Sequence, residues 1–559
     1  MKQTSWIKQS KRALLLGSAL AMGLMNPANA AIDNVQEVQT WLTQLGFEPG
    51  PKDGSYGGRT KQALEAFYQS KGASFDGDLS DNEVQDLKEA IKAAGISEEG
   101  ISPIAKSTIK FDLVNQSPQQ RFTYPDDAEW HTIPQGLAVF DVDENGVNEV
   151  YFSFKAMPNF PDVPNVVFTK KNGKIDDATQ QVFGDDVPTS NAGTHIDFAD
   201  LDADGRLDLV YSEAGDDLPP FSRTSSIEIL MNTGGKFKRI TQNFETKISG
   251  IRSYATVVGN IDKDKYGEVL LSSGLDFEKS VVLDFDEKAN VKIRRNPLVD
   301  NDVYTWYYYN NATNFVVEDF DKDGKNDIYV GGQWASPTNS ILWSGLRSKE
   351  PVYLPKTFLG WVKWGKVKKG SGGDVNSTVS ADFDNDGDLD LLSGIERVYA
   401  SQNNGVASDG VSVDYDVDYS NGSILQILEQ TAPRKFEDKT VRTGNDLGLN
   451  YINPMIVYDL NNDGLQDILV NYWMKSFWIE EKNWLSSNLY GSMFLINKGG
   501  MKFEQQLASD MPGYDQKMEG MIFPLSTENG KTSVMVLQPK SGGAAERYVD
   551  GYLADLTFE

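Results

Sequence analysis

The chain has 559 residues and a formal charge of −28, set by 81 acidic against 53 basic side chains. That length exceeds a single small core, so two or more folding units are expected, and the acidity disfavours a nucleic-acid or anionic-membrane partner. The absence of cysteine excludes disulfides, thiolate metal sites, a cysteine nucleophile and a lipid-anchored N-terminal cysteine.

Residues 1–30, "MKQTSWIKQSKRALLLGSALAMGLMNPANA", have a basic start, an apolar run and an Ala28-Asn29-Ala30 end that suits signal-peptidase cleavage. Loss of Lys2, Lys8, Lys11 and Arg12 with this segment carries the charge from −28 to about −32, which makes divalent cations natural partners. No later apolar run approaches the roughly 20 residues that span a bilayer, so the expectation is an exported protein, periplasmic or extracellular, without a transmembrane segment.

Residues 33–95 read as a small three-helix domain. Val35, Val38, Trp41, Leu42 and Leu45 have helical spacing, and Ala63, Leu64 and Phe67 repeat it before Gly72. A third helix follows Ser80, with Glu83 three residues on as its capping-box partner. The stretch "DGSYGGRTKQALEAFY" resembles the peptidoglycan-binding-like domain family through Asp53, Gly54, Gly57, Thr60 as a helix cap, Ala63 and Phe67. Tyr68 stands where that family usually has Gln. The resemblance implies a three-helix module that targets cell-wall glycan or serves as a plain docking domain. Residues 96–106 are expected to be a linker.

From residue 107 to 559 the chain repeats itself. "DVDENGVNE" from Asp141 returns as "DLDADGRLD" from Asp200, "NIDKDKYGE" from Asn260, "DFDKDGKND" from Asp319, "DFDNDGDLD" from Asp382 and "DLNNDGLQD" from Asp459. The starts lie 59, 60, 59, 63 and 77 residues apart, the mark of stacked supersecondary units. β-branched runs flank each loop, and most units carry a second strand-turn-strand signal such as "IEILMNTGGKFKRITQ". Four antiparallel strands per unit make the fold mainly β, a seven-bladed β-propeller with six clear repeats and one degenerate repeat. In the degenerate unit, "GMIFPLSTENGKTSVMVLQ", Leu525, Thr527, Asn529 and Ser533 hold the acidic positions. The C-terminus lacks one outer strand, which "STIKFDLVN" at 107–115 is expected to supply.

Side chains at loop positions one, three and five converge if the backbone wraps around a point, a glycine at six permits the turn, and position nine adds a carboxylate. Oxygen-only ligands at this density suit Ca²⁺ better than Mg²⁺ or Zn²⁺. An EF-hand needs a bidentate Glu at position twelve and a helix beyond. Position twelve here is Phe152, Tyr211, Leu271, Val330, Ser393 and Val470.

The units are similar to FG-GAP or VCBS-type calcium repeats, although the Phe-Gly and Gly-Ala-Pro signatures are not evident. The resemblance implies metal ligands at Asp141, Asp143, Asn145 and Glu149; Asp200, Asp202, Asp204 and Asp208; Asn260, Asp262, Asp264 and Glu268; Asp319, Asp321, Asp323 and Asp327; Asp382, Asp384, Asp386 and Asp390; and Asp459, Asn461, Asp463 and Asp467. Five sites are expected to take Ca²⁺. The third is weaker, because Lys265 replaces the glycine with a positive charge.

His131 and His195 are the only histidines, and no G-x-S-x-G, H-E-x-x-H or phosphate-cradling G-x-x-x-x-G-K pattern occurs. No catalytic residue is assigned. Aromatic clusters at Tyr304–Tyr309, Trp361 and Trp364, and Trp473, Trp478 and Trp484 suit inter-blade packing or sugar stacking. The "VDYDVDY" run around Asp414 reads as a strand with an acidic face. The composite expectation is a calcium-stabilised binding or scaffold protein of the cell envelope, with peptidoglycan, another envelope glycan or an envelope protein as partner. The alternative is a polysaccharide-acting lyase or glycosidase using the propeller cleft.

Overall fold

In a computed structural model, the residues described are 35–45, 47, 49, 56–93, 100–104, 108–123, 133–155, 163–190, 193–213, 227–241, 256–262, 264–271, 281–295, 314–331, 340–345, 352–353, 361–364, 367–370, 374–396, 413–414, 424–439, 450–474, 489–515, 520–541 and 547–558. Residues 1–30, where a leader is expected, and His131, Tyr304–Tyr309, Trp478, Trp484 and most of the "VDYDVDY" run lie outside them. The chain divides into two compact units, Met1–Ile96 and Ser97–Glu559.

In the first unit, α1 spans Val35–Gln44, α2 Gly58–Ser70 and α3 Asp81–Ala93. Their apolar stripes meet in one core of Val38, Leu42, Leu64, Phe67, Leu87 and Ile91, as the helical periodicity requires. Ser80 is the expected cap: its Oγ accepts the Asn82 N–H at 3.3 Å, and its own N–H donates to Glu83 Oε2 at 2.8 Å. Thr60 differs from expectation. It lies inside the first turn of α2, 1% exposed, and its Oγ donates to the Pro49 carbonyl at 3.3 Å, while Gly57 takes the cap position. A hydroxyl buried there ties the preceding loop to the helix rather than ending the helix.

The second unit is a seven-bladed propeller. Blades 1 to 6 begin with strands Ile133–Phe140, Gly193–Ala199, Thr256–Gly259, Asn314–Glu318, Asp374–Ala381 and Asn450–Tyr458, each opening an antiparallel sheet of four consecutive propeller strands. Blade 7 runs Met521–Glu528, Lys531–Ser541 and Arg547–Phe558, and its outer strand is Ile109–Leu113, pairing Ile109 with Phe558 and Leu113 with Ala554. The expected closure of the ring by the N-terminal strand is therefore present. Phe111, 1% exposed, packs from that strand into the core shared by blades 6 and 7.

Two features differ from the sequence expectation. Gly100–Ile104, read as linker, forms a strand parallel to Lys502–Leu507 on the outer edge of blade 6. The degenerate unit has no nine-residue loop: Glu528 pairs with Lys531 across Asn529 and Gly530, both at positive φ, a two-residue hairpin turn.

Each blade boundary is sealed by its own apolar cluster. Phe152 of blade 1 meets Phe523 of blade 7 at 5.6 Å, Phe383 of blade 5 meets Phe503 of blade 6 at 5.6 Å, and Tyr151 meets Phe198 of blade 2 at 5.4 Å. The first strands of blades 1 to 6 neighbour one another in succession, and those of blades 6 and 1 also meet. The first strand of blade 7 is set back, against the second strand of blade 1 and the second and third strands of blade 6.

Candidate metal centres and the helical module

The six Asp-rich loops each connect the first and second strands of blades 1 to 6, so the propeller repeats one local structure. Position two is an apolar plug. Val142, Leu201, Ile261, Phe320, Phe383 and Leu460 are at most 5% exposed and anchor the loop in the inter-blade core. Alternation then turns positions one and three the other way.

The aspartate at position one folds the loop around itself. Asp200 Oδ1 accepts the Asp204 N–H at 3.0 Å and Oδ2 accepts the Gly205 N–H at 2.9 Å. Asp141, Asp319 and Asp459 make the same pair of contacts, and Asp382 accepts from Gly387 at 2.9 Å. The glycine at position six is required in these five loops, with φ between +80° and +93°. At position five, Asn145, Asp204, Asp386 and Asp463 accept the N–H of position seven.

Position nine does something the ligand pattern did not reveal. Asp390, 0% exposed, accepts the Phe383 N–H at 3.0 Å on one oxygen and the Gln430 N–H, from the third strand, at 2.9 Å on the other. Asp208, Asp327 and Asp467 make equivalent pairs. Glu149 accepts from the Val142 N–H and the Thr169 hydroxyl. This carboxylate is thus a staple between loop and sheet as well as a candidate ligand. Burial raises its pKa despite those hydrogen bonds: to about 7 for Glu149, Asp208, Asp390 and Asp467, about 6 for Asp327 and about 8 for Glu268.

Among the described residues, five triplets place one carboxylate oxygen each within 4.8 Å of one another: Asp141, Asp143 and Glu149; Asp200, Asp202 and Asp208; Asp262, Glu268 and Asp284; Asp319, Asp321 and Asp327; Asp382, Asp384 and Asp390. Positions one, three and nine of four loops therefore converge. Asp202 Oδ1, Asp382 Oδ1 and Glu268 Oε1 are buried without a hydrogen-bond partner, which is costly for an anion and fits a cation-binding donor set. In blade 6 position three is Asn461, whose amide donates to Asp463 Oδ2 at 2.9 Å, so no triplet of carboxylates forms there. In blade 3 Asn260 donates its amide to the Asp264 carbonyl at 2.6 Å, and Asp284 from the third strand joins the cluster instead. Asp284 faces Glu268 across the sheet, a register that the loop motif alone does not contain.

The loops are also stitched to one another. The carbonyl of position two accepts from the following blade: Leu201 from the Gly267 N–H, Phe320 from Gln430 Nε2 at 2.8 Å, and Phe383 from Asn497 Nδ2 at 2.7 Å. Position two therefore links its own staple to the next blade.

His195 lies on the first strand of blade 2, half-buried opposite Ser212. The six residues at position twelve all lie in second strands, which excludes an EF-hand. Trp361 and Trp364 lie on the short strand Trp361–Trp364.

Asp197, two residues beyond His195, is partly exposed as a residue, but its Oδ2 is buried with no hydrogen-bond partner. Desolvation raises its pKa to about 7. An unfolded aspartate titrates near 3.9, so the stability this group contributes is complete below that value and is lost as pH rises through about 7. With calcium saturating, the stability advantage of Asp197→Asn over the native protein is expected to grow by about 2–3 kcal/mol between pH 5 and pH 8. Denaturant melts at the two pH values check this, and a constant difference would show that the carboxylate is solvated.

No helix of the described residues is long and apolar enough to cross a membrane. A search of curated proteins finds no match. Among solved structures, the exotype rhamnogalacturonan lyase YesX is similar at 12% identity and TM-score 0.35, over 81% of this chain and 76% of that one. AofleA from Arthrobotrys oligospora is similar at 7% identity and TM-score 0.33, over 73% of this chain and 95% of that one. Residues 32–87, which contain α1 and α2 and the start of α3, match the family described as a putative peptidoglycan binding domain.

Proposed function

We propose that this is an exported binding or scaffold protein of the cell envelope, in which Ca²⁺ holds the propeller rigid and the helical module docks to peptidoglycan or a wall partner. The propeller then presents a face to a glycan or a protein. The observation that carries the metal reading is the repeated convergence of three carboxylates with buried, unpartnered oxygens at Asp202 and Asp382. A cation offsets the repulsion and desolvation that burial imposes on these groups. Calcium suits them because it takes 6–8 oxygens in flexible geometry, whereas Zn²⁺ favours His or Cys and Mg²⁺ a strict octahedron. This reading makes the loops FG-GAP or VCBS-type repeats, with positions one, three, five and nine as ligands and the carbonyl of position seven completing the shell.

The match at residues 32–87 supports the wall partner, and the leader-like first thirty residues support export. The test is sedimentation of the mature protein with purified sacculi in calcium, together with a polysaccharide panel assayed for new chain ends. Co-sedimentation with no change in the glycan is expected. Failure to sediment removes the wall partner, and release of products replaces the scaffold by an enzyme.

A further inference from the structure

Blade 3 departs from its neighbours in four ways that belong together. Its position-one residue is Asn260, which donates into the loop where the other blades accept N–H groups. Its position six is Lys265, which lacks the positive φ of the five glycines. Its acidic cluster recruits Asp284 from the third strand. A cationic side chain, Arg294, then reaches in from the outermost strand Val291–Arg295 of the same sheet.

One guanidinium nitrogen of Arg294 donates both to Asp262 Oδ2 at 3.0 Å and to Asp284 Oδ1 at 2.5 Å. Those residues share a cluster with Glu268, 0% exposed, whose Oε1 is buried and unpartnered. Three carboxylates gathered within 4.8 Å need a counter-charge, and a guanidinium delivers one without requiring the loop to wrap. The loop therefore tolerates the loss of the glycine turn and of the position-one aspartate. Arg434 does not play this part in blade 4. It approaches Asp321 and Asp323 from the neighbouring blade, while that loop keeps Asp319, both of its N–H contacts and the Gly324 turn.

We propose that Arg294 is the resident cation of blade 3, standing where the other five loops take a metal ion. The propeller then binds five ions, in blades 1, 2, 4, 5 and 6, and blade 3 is held without one. The cluster of Asp262, Glu268 and Asp284 is a latent sixth site for a divalent cation that Arg294 keeps closed. This rests on the calcium reading given above.

Equilibrium dialysis with Ca²⁺ alone, on the full mature chain, separates the two. Five ions bound by the native protein and by Arg294→Lys, and six by Arg294→Gln with the sixth weaker, are expected. In the metal-free state Arg294→Gln should melt lower than the native protein and recover most of the difference in calcium. Six ions on the native protein, or five on Arg294→Gln when it is folded by circular dichroism, would overturn the role of Arg294 and leave calcium binding intact. No binding by the native protein at millimolar calcium would overturn the calcium reading and the latent site with it. Should Arg294→Gln not fold, the native count decides.

Discussion

Chelation of calcium is expected to lower the melting temperature of the propeller by about 7 °C. If free calcium stands at about ten times the dissociation constant, each occupied site adds RT ln 11, about 1.4 kcal/mol, and five sites add about 7 kcal/mol. That sum is comparable with the whole stability of a typical domain. An unfolding entropy of about 2.1 cal/mol/K per residue, spread over the Ser97–Glu559 unit, converts it to the stated shift. The measurement is differential scanning calorimetry with EDTA, with calcium and with magnesium at matched ionic strength. Magnesium should restore only part of the loss, because its octahedron and tightly held waters suit these loops less well. Superposed traces with EDTA and with calcium would remove the ions from the account of stability.

The second large effect separates two roles that one aspartate combines. Asp390→Ala removes the acceptors of the Phe383 and Gln430 backbone N–H groups, both in the buried join between loop and sheet. Each buried donor left without a partner costs about 1–3 kcal/mol, so a loss of about 2–6 kcal/mol is expected even with calcium absent. Asp384→Ala at position three should behave differently. The described contact of its carboxylate is one N–H, from Asp386 at 3.1 Å, so it should bind one ion fewer while costing little metal-free stability. Urea unfolding of both variants with and without calcium gives the comparison. Equal metal-free stabilities would mean that position nine is a ligand and nothing more.

The contrast shows what a repeat motif can and cannot disclose. Asp, Asp, Asp and Gly at fixed spacing are legible because the wrapped loop is local: position one accepts from positions five and six, all within the same nine residues. The staple at position nine is half non-local, since its second donor lies 40 residues on, at Gln430. Nothing in the loop distinguishes that partner from any other backbone N–H. Arg294 was hidden for the same reason: it lies 32 residues from Asp262, on a different strand. The departure of Lys265 from the glycine pattern was the available signal, and it marked the unusual blade without naming the group that compensates.

What the sequence by itself determined is the architecture. The period near sixty residues, the β-branched runs around each loop and the strand left over at the N-terminal end specify four-stranded blades and the closure through Ile109–Leu113, because these depend on local alternation and on counting strands. The helical module is equally local, and only the place of Thr60 within it had to be corrected. Tertiary structure alone decided the setting back of blade 7, the stitching of the loops at Leu201, Phe320 and Phe383 to the next blade, and the recruitment of Asp284 and Arg294. Those arrangements follow from which strands come to lie side by side, and pairing across a sheet or between blades is settled by packing of the whole ring rather than by any segment's own pattern.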